Sequence, residues 1–182
     1  KELPLVSREI ISDVLNEMPE VACEILTLDN IYIARSNEVE DRHVELCKVN
    51  PIYMELDKIP NGGWVKVLFA MEPEILPKLT SYIDSKGYNE VDFVKSANIF
   101  YEMLPKNCSK GSALKDYIEK VGLEDYKIIA VGDYHNDIEM INVADLGVAT
   151  ANAQPEVKKS ADLILKKTNN EGAISELIDY IL

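Results

Sequence analysis

The sequence has little cysteine, no excess of basic residues and no long apolar run. Its three cysteines, Cys23, Cys47 and Cys108, are odd in number and lack the close pairs typical of zinc sites and redox motifs, so we expect free thiols in a reducing cytoplasm. No apolar run approaches the roughly 20 residues that cross a bilayer. The charged start Lys1-Glu2 is not followed by a signal-peptide core. The sequence therefore predicts a cytoplasmic protein with no membrane partner.

Positive charge is scarce, because 19 Lys and Arg residues stand against 32 Asp and Glu residues and give a net charge of -13. The lysines are scattered, so no basic patch offsets the repulsion of a phosphate backbone, and we expect no nucleic-acid partner. A small anionic substrate must then be held by a few placed donors or by a metal. The 182 residues, 47% of them hydrophobic, suffice for one large domain or two small ones.

Residues 1–104 are predicted to form one α+β domain. The apolar spacing of Ser7 to Met18 indicates a helix with Ser7 as its cap. Val21 to Leu28 and Ile31 to Ala34 flank the turn pair Asp29-Asn30, which predicts a hairpin. Further along, the pattern predicts a strand at 64–69, a helix at 74–86 and strand character across 91–104. The helices should cover one face of an antiparallel sheet.

Residues 105–182 show a regular alternation of helix and strand. Helices are predicted at 110–121, 136–144, 155–160 and 172–182, and strands at 127–131, 146–149 and 162–165. Such alternation indicates parallel strands joined by right-handed crossovers. Three strands are few for a sheet of this class. We therefore expect an incomplete α/β core whose exposed edge and apolar surface favour self-association.

The candidate chemistry lies at the carboxyl end of the first of these strands, where open α/β sheets bind ligands. An apolar run leads into Gly132, which permits a sharp turn, and Asp133, which offers a carboxylate. Asn136 and Asp137 lie at the next helix start, where N–H groups favour anions. Carboxylates beside a phosphate are ligands that Mg²⁺ prefers. The same residues are also ordinary in turns and caps, and Lys110 could equally be a solvated surface lysine.

Several segments together resemble one known family. These are Lys110-Gly111-Ser112-Ala113-Leu114, the run from Gly132 to Asp137 with Ile138-Glu139-Met140 behind it, Asn152-Ala153 and Ala161-Asp162. In order and spacing they are similar to the C-terminal core of Cof-type phosphatases of the haloacid dehalogenase-like superfamily. The resemblance implies an α/β fold in which residues 105–182 form part of a Rossmann-like core and residues 1–104 form the inserted α+β cap.

The resemblance also implies an activity and a set of roles. It implies Mg²⁺-dependent hydrolysis of small phosphorylated metabolites, with sugar phosphates as the usual class. In this reading Lys110 binds the phosphoryl group, Asp133 is the metal ligand, Asn136 contacts the substrate phosphate, and Asp137 is a second carboxylate at the metal. His135 occupies a variable position of the motif and is interpreted as a rim residue.

One departure from the family is large, since the sequence contains no Asp-x-Asp. In the family that motif supplies the nucleophile that forms an aspartyl-phosphate, and the acid and base. We therefore expect this chain to bind Mg²⁺ weakly and not to turn over by itself. Two alternatives stay open: a non-catalytic module that binds a phosphorylated molecule or a partner chain, and a phosphotransferase or mutase on the same core.

No residue of the first half identifies the substrate. The aromatic residues there are more typical of a packed core than of a specificity pocket. This interpretation covers Tyr53, Trp64, Phe69, Tyr82 and Tyr88. His43 is likewise interpreted as having no chemical role.

Overall fold

A computed structural model describes all of residues 1–182, which form two compact units, Lys1–Asn107 and Cys108–Leu182. The division falls after Asn107, whereas the sequence predicts it after Leu104. The predicted α/β class is confirmed, because parallel strands alternate with helices in the second unit. None of the helices is long and apolar enough to cross a membrane.

The N-terminal unit contains a six-stranded sheet and three helices. Its strands are β1 (Ala22–Leu26), β2 (Ile31–Arg35), β3 (Ile52–Tyr53), β4 (Lys66–Ala70), β5 (Val91–Lys95) and β6 (Phe100–Pro105). Its helices are α1 (Ser7–Glu17), α2 (Glu38–Cys47) and α3 (Leu76–Lys86), with a short 3-10 turn at Leu56–Lys58. The strand order is β3-β2-β1-β4-β6-β5, and all neighbours are antiparallel except β2 and β3.

The helices of this unit lie on both faces of the sheet. Ile10 of α1 and Leu79 of α3 share one core with Phe69 of β4. Val39 of α2 packs instead with Ala70, the next residue of β4. Because successive strand residues point to opposite faces, α2 covers the face opposite to α1 and α3. Each fully buried aliphatic or aromatic side chain contributes about 1.5–3 kcal/mol.

Three predictions for this unit need correction, while the hairpin of β1 and β2 is confirmed by their antiparallel pairing. The helices do not cover one face only, because α2 lies on the face opposite to α1 and α3. Ser7 does not cap α1. It is the first helical residue after Val6, and its buried hydroxyl has no hydrogen-bond partner. The stretch 91–104 is not one strand, because it folds back at Ser96, whose N–H donates to the carbonyl of Phe100, to form the hairpin of β5 and β6.

Helix α2 was not predicted from the sequence, and one asparagine joins its start to neighbouring segments. The side chain of Asn37 accepts the N–H of Glu40 at 2.9 Å and caps the helix. Its amide also donates to the carbonyl groups of Glu20 and Ala70, both at 2.9 Å. Only two helical residues, Val39 and Glu40, are buried. The helix therefore lacks the apolar stripe that sequence periodicity detects.

The aromatic residues of the N-terminal unit pack as predicted in all but one case. Phe69 and Trp64 are buried, and Tyr82 and Tyr88 pack against the same core. Tyr53 is the exception, with 60% of its surface exposed at the end of the edge strand β3. The interpretation of Tyr53 as a core residue is wrong, because β3 pairs on one side only and has just two residues.

The C-terminal unit contains a parallel sheet of order β7-β8-β9 and four helices. The strands are β7 (Ile129–Gly132), β8 (Leu146–Ala149) and β9 (Leu163–Ile164). The helices are α4 (Lys110–Val121), α5 (Ile138–Val143), α6 (Pro155–Ser160) and α7 (Ala173–Ile181), and a 3-10 turn at His135–Asp137 precedes α5. All three predicted strands and all four predicted helices are present, within a few residues of their predicted bounds.

Strand β8 is the centre of this unit, because its two faces support two separate cores. Val148 packs with Leu177 of α7 on one face. Ala149, which points the other way, packs with Ile141 of α5 and Val157 of α6. Strand β7 has a neighbour on one side only. Self-association through this edge stays a prediction.

Candidate functional site

The chain turns after β7 at Gly132, and any larger residue there would force neighbouring atoms to shift. A Cβ atom on Gly132 would lie 2.3 Å from the Cβ of Asp137, closer than real Cβ contacts come. Gly132 has no left-handed backbone torsion. The glycine is therefore required for the close approach of Asp137, and not for the unusual turn that the sequence suggests.

Asp137 lies beneath this turn and organises it. Asp137 is 5% exposed. Its Oδ2 accepts hydrogen bonds from the backbone N–H groups of Asp133 at 3.0 Å and Tyr134 at 3.2 Å. Its Oδ1 accepts a hydrogen bond from Nζ of Lys110 at 2.5 Å. Hydrogen bonds from backbone N–H groups to a buried carboxylate contribute about 1.5–3 kcal/mol each, whereas the pair with the half-exposed Lys110 contributes less. Both oxygens are thus engaged in holding the loop and the lysine.

Lys110 reaches Asp137 because helix α4 begins beside α5. Ser109 caps α4 by accepting the N–H of Ser112 at 3.0 Å, and this fixes Lys110 as the first helical residue. A Cβ on Gly111 would lie 2.5 Å from Cγ of Glu139, so the two helices are in close contact at this glycine. The Lys110 side chain stays 51% exposed although its partner is buried. Its ammonium group can therefore bind an anion while Asp137 holds it in place.

Asp133 follows the turn and differs from Asp137 in having a free oxygen. Its Oδ2 accepts the side-chain amide of Asn169 at 2.9 Å, and its Oδ1 accepts no hydrogen bond from the protein. The backbone around it is fixed, because the carbonyl of Asp133 accepts the N–H of Gln154 at 2.9 Å and that of Gly132 accepts the N–H of Thr150 at 3.2 Å. Asp133 is thus a rigidly placed carboxylate with one available oxygen.

These groups border a cavity of about 540 Å³, within the usual range for small-molecule sites. Its polar lining combines one ammonium, two carboxylates, a hydroxyl and an amide, with apolar side chains completing the wall. The lining residues are Lys110, Val131, Gly132, Asp133, Asp137, Met140, Thr150, Asn169, Ala173 and Ile174. One cation beside a free carboxylate oxygen can bind a phosphate together with a divalent metal.

The cavity brings together three of the four predicted site residues, namely Lys110, Asp133 and Asp137. Asn136 is not part of the lining, and its predicted phosphate contact stays a prediction. His135 does not line the cavity either. Its ring packs edge-on against Tyr134, and its Nε2 lies 3.5 Å from a carboxylate oxygen of Glu156.

Sequence reasoning missed two polar residues of the cavity, Thr150 and Asn169. A signal for both was available, because Thr150 directly follows β8 and Asn169 lies five residues after β9. The rule that ligands bind at the carboxyl ends of parallel strands applies to all three strands and not only to β7.

The carboxylates of the cavity could hold Mg²⁺ only together with water and substrate oxygens. No three His, Cys, Asp or Glu side chains converge on a common point. Mg²⁺ commonly keeps several waters and binds one or two carboxylates plus substrate phosphate oxygens. Asp133 Oδ1 can supply one such ligand, whereas both Asp137 oxygens already accept hydrogen bonds. The residues therefore fit a metal that substrate completes, and the role of Asp137 as a direct ligand stays a prediction.

Comparisons with known proteins agree on one family. The family profile described as haloacid dehalogenase-like hydrolase matches residues 4–178. A protein of Streptococcus pyogenes serotype M6 named "Putative phosphatase" is 30% identical over all of this chain. A phosphoglycolate phosphatase of Sulfurisphaera tokodaii is 37% identical over 75% of it. The chain spans 68% of the first relative, 61% of the second, and 48% of a related Bacillus subtilis protein.

Solved structures show the same fold. A haloacid dehalogenase-like hydrolase from Bacteroides thetaiotaomicron is 26% identical, with a TM-score of 0.76 over 100% of this chain and 68% of that one. The sugar phosphatase BT4131, of the subclass named HAD IIB, has a TM-score of 0.83 over the same shares. At 20% identity this second likeness concerns the fold alone.

Proposed function

Because this chain belongs to the haloacid dehalogenase-like hydrolase family, we propose that its C-terminal unit is the phosphate-binding and Mg²⁺-binding part of a phosphatase for small phosphorylated metabolites. The observation that carries the proposal is the 2.5 Å hydrogen bond between Nζ of Lys110 and Oδ1 of Asp137 at the cavity beside Asp133. A buried carboxylate that holds a half-exposed lysine places one positive charge where an anion enters.

Each polar residue of the cavity has a distinct part in this proposal. Lys110 binds the phosphoryl group and offsets the charge that develops on its oxygens during transfer. Asp133 contributes Oδ1 to Mg²⁺, which supplies further charge neutralisation when bound. Asp137 acts as a positioning residue, because it orients the Lys110 ammonium group and the backbone of Asp133.

The proposed substrates are small phosphate monoesters. The cavity volume of about 540 Å³ suits a metabolite rather than a phosphoprotein segment. The family resemblance points to sugar phosphates, and the S. tokodaii relative is named for phosphoglycolate. Both are polyanionic or hydroxylated phosphates that one lysine and one metal can hold, so they belong in the same assay.

The sequence contains no Asp-x-Asp, so we propose that this chain supplies the binding groups without the nucleophile. It should therefore show no turnover by itself. The test compares phosphate release by this chain with release by the longest product of its gene, using sugar phosphates, phosphoglycolate and p-nitrophenyl phosphate in Mg²⁺.

Matched variants of the longest active product show whether the cavity is the site. We expect Lys110→Met and Asp133→Asn to lower kcat at least about 100-fold, as the loss of a group that stabilises developing charge does. Lys115→Met is the control, because Lys115 is exposed on the same helix. Unchanged kcat in Lys110→Met would refute the proposed site.

The same assay separates the two alternatives. A non-catalytic binding module predicts that no product of the gene releases phosphate while phosphate esters still bind. A phosphotransferase or mutase predicts that phosphate moves to an acceptor hydroxyl faster than to water. Turnover by the present chain alone would instead overturn the assignment of the nucleophile to an Asp-x-Asp.

A further inference from the structure

The loop between β9 and α7 brings a neutral amide to the carboxylate of Asp133. Nδ2 of Asn169 donates to Oδ2 of Asp133 at 2.9 Å, although the two residues lie 36 positions apart. Only the NH₂ end of an asparagine can face a carboxylate as a hydrogen-bond donor, so the contact also fixes the orientation of the amide. An exposed side chain loses rotamer freedom in such a contact, and a mobile loop would hold it weakly.

This loop is held by carboxylates at its start and its end. Glu176 of α7 accepts the backbone N–H of Lys166 at 3.0 Å and that of Lys167 at 2.8 Å. Glu171 accepts both the N–H and the hydroxyl of Thr168, at 3.0 and 2.8 Å. These backbone hydrogen bonds lower the pKa of both glutamates below the ordinary value. The loop therefore has a defined path around Asn169.

A third contact fixes Asn169 itself. Oδ1 of Asn152 accepts the backbone N–H of Asn169 at 2.9 Å and also the hydroxyl of Thr150 at 3.0 Å. Residues that follow β8 and β9 are thus tied to one another and, through the Asn169 amide, to the residue that follows β7. Three strand ends meet in one hydrogen-bonded network around Asp133.

We propose that Asn169 is a positioning residue that holds Oδ2 of Asp133 so that Oδ1 stays available to a divalent cation. The inference rests on the proposed function, since it assigns the metal to Asp133. An amide suits this task because it donates a hydrogen bond without adding positive charge, whereas a lysine or arginine there would repel the cation. Groups that orient metal ligands in this way typically contribute 10–100-fold to metal affinity.

The test is a Mg²⁺ titration of this chain in inorganic phosphate, followed by the amide NMR shifts of Asp133 and Thr150. We expect Asn169→Leu, which keeps the branching at Cγ but removes the donor, to raise the Kd for Mg²⁺ at least about tenfold. Asn169→His, whose ring N–H can replace the amide, should recover most of that affinity. Asn170→Leu, an exposed neighbour in the same loop, should bind as the wild type does.

A second readout does not depend on metal. Coupling constants should show one χ1 rotamer for Asp133 in the wild type and averaged rotamers in Asn169→Leu, with no change in the urea midpoint. Wild-type affinity in Asn169→Leu would overturn the inference and leave the proposed function standing. Absence of any Mg²⁺-dependent shift in the wild type would overturn the cation role of Asp133, and an averaged rotamer in the wild type would overturn the positioning role independently.

Discussion

Two buried carboxyl groups, one in each unit, have opposite surroundings. Asp137 is 5% exposed and accepts hydrogen bonds from one ammonium and two backbone N–H groups. Glu40 of α2 is fully buried, yet neither of its oxygens has a hydrogen-bond donor, and its neighbour is another buried acid, Glu24 of β1. A buried charge is tolerated only when donors compensate its lost hydration. The donors around Asp137 stabilise its negative charge, whereas Glu40, which has none, must be protonated in the folded chain.

The groups around Glu40 support this interpretation. Burial, followed by the negative charge of the neighbouring Glu24, raises the pKa of Glu40 to about 8. Asp41 of α2 acts in the same direction. Cys23, the residue before Glu24 in β1, lies in the core beneath α1 and α3, and burial raises the pKa of its thiol. Arg35 of β2 is the nearby cation, but its guanidinium donates to two main-chain carbonyl groups at the end of α1.

The contrast predicts that one chemical change, carboxyl to amide, has opposite signs in the two units. In Asp137→Asn the new NH₂ group faces donors, and the charged acceptor for the Lys110 ammonium group is lost. We expect the C-terminal unit to lose about 3 kcal/mol, chiefly because two backbone N–H groups lose a charged acceptor, at about 1.5–3 kcal/mol each. Hydrogen exchange of the β7 and β8 amides measures the loss. Asp179→Asn, at an exposed position of α7, should leave exchange unchanged.

Equal protection of β7 in Asp137→Asn and wild type would show that the Asp137 hydrogen bonds contribute little. In that case the hydrogen bonds of Asp137 would not distinguish it energetically from Glu40, and the two carboxyl groups would be alike in being buried. The site would then depend on the packing at Gly132 rather than on charge.

Glu40→Gln should instead stabilise the N-terminal unit as pH rises. Glutamate in the unfolded chain ionises near its ordinary pKa of 4.5, whereas folded Glu40 keeps its proton to about 8. The folded state therefore binds more protons between these values, so its free energy of unfolding falls as pH rises through this window and levels off above it. Glutamine has no such loss, so the stability of the variant relative to wild type should rise by roughly 3 kcal/mol between pH 5 and pH 8, since one pKa unit corresponds to about 1.4 kcal/mol.

Urea denaturation at pH 5, 6.5 and 8 measures this difference. The single tryptophan, Trp64, is buried in the N-terminal unit and reports its unfolding by fluorescence. Glu38→Gln is the matched control, since Glu38 is exposed in the first turn of the same helix. If the difference in stability between Glu40→Gln and wild type stayed constant with pH, folded Glu40 would not hold a proton in this window.

The sequence predicted those parts of the fold that depend on local signals. Helix α4 runs from Lys110 to Val121 as predicted, because Ser109 caps its start and Gly122 ends it in a left-handed conformation. Helix α2 was missed because its cap, Asn37, is held by contacts with residues distant in the chain. The Glu24–Glu40 pair was equally hidden, because nothing in a sequence shows which two acids a fold buries together.

The site was predicted to a similar extent. Lys110, Asp133 and Asp137 were found because a motif and a family resemblance identified them. The side chain that donates a hydrogen bond to each carboxylate was not predicted. Lys110 lies 27 positions from Asp137, and Asn169 lies 36 positions from Asp133. Pairing over such distances is a property of the sheet topology, which brings the ends of β7, β8 and β9 to one edge.

Lys110→Met should have the smallest effect on stability, and it tests whether the hydrogen bond between Lys110 and Asp137 serves folding or phosphate binding. Lys110→Met removes a half-exposed ammonium group but leaves both backbone donors on Asp137. Pairs with an exposed partner contribute at most about 1 kcal/mol, so β7 protection should fall by less than this amount. Phosphate binding, measured by the same Mg²⁺ and phosphate titration, should nevertheless be lost, because the only cationic side chain of the cavity lining is gone. A stability loss as large as that of Asp137→Asn would mean that Lys110 serves the fold, and that the charge held by Asp137 is structural rather than part of the binding site.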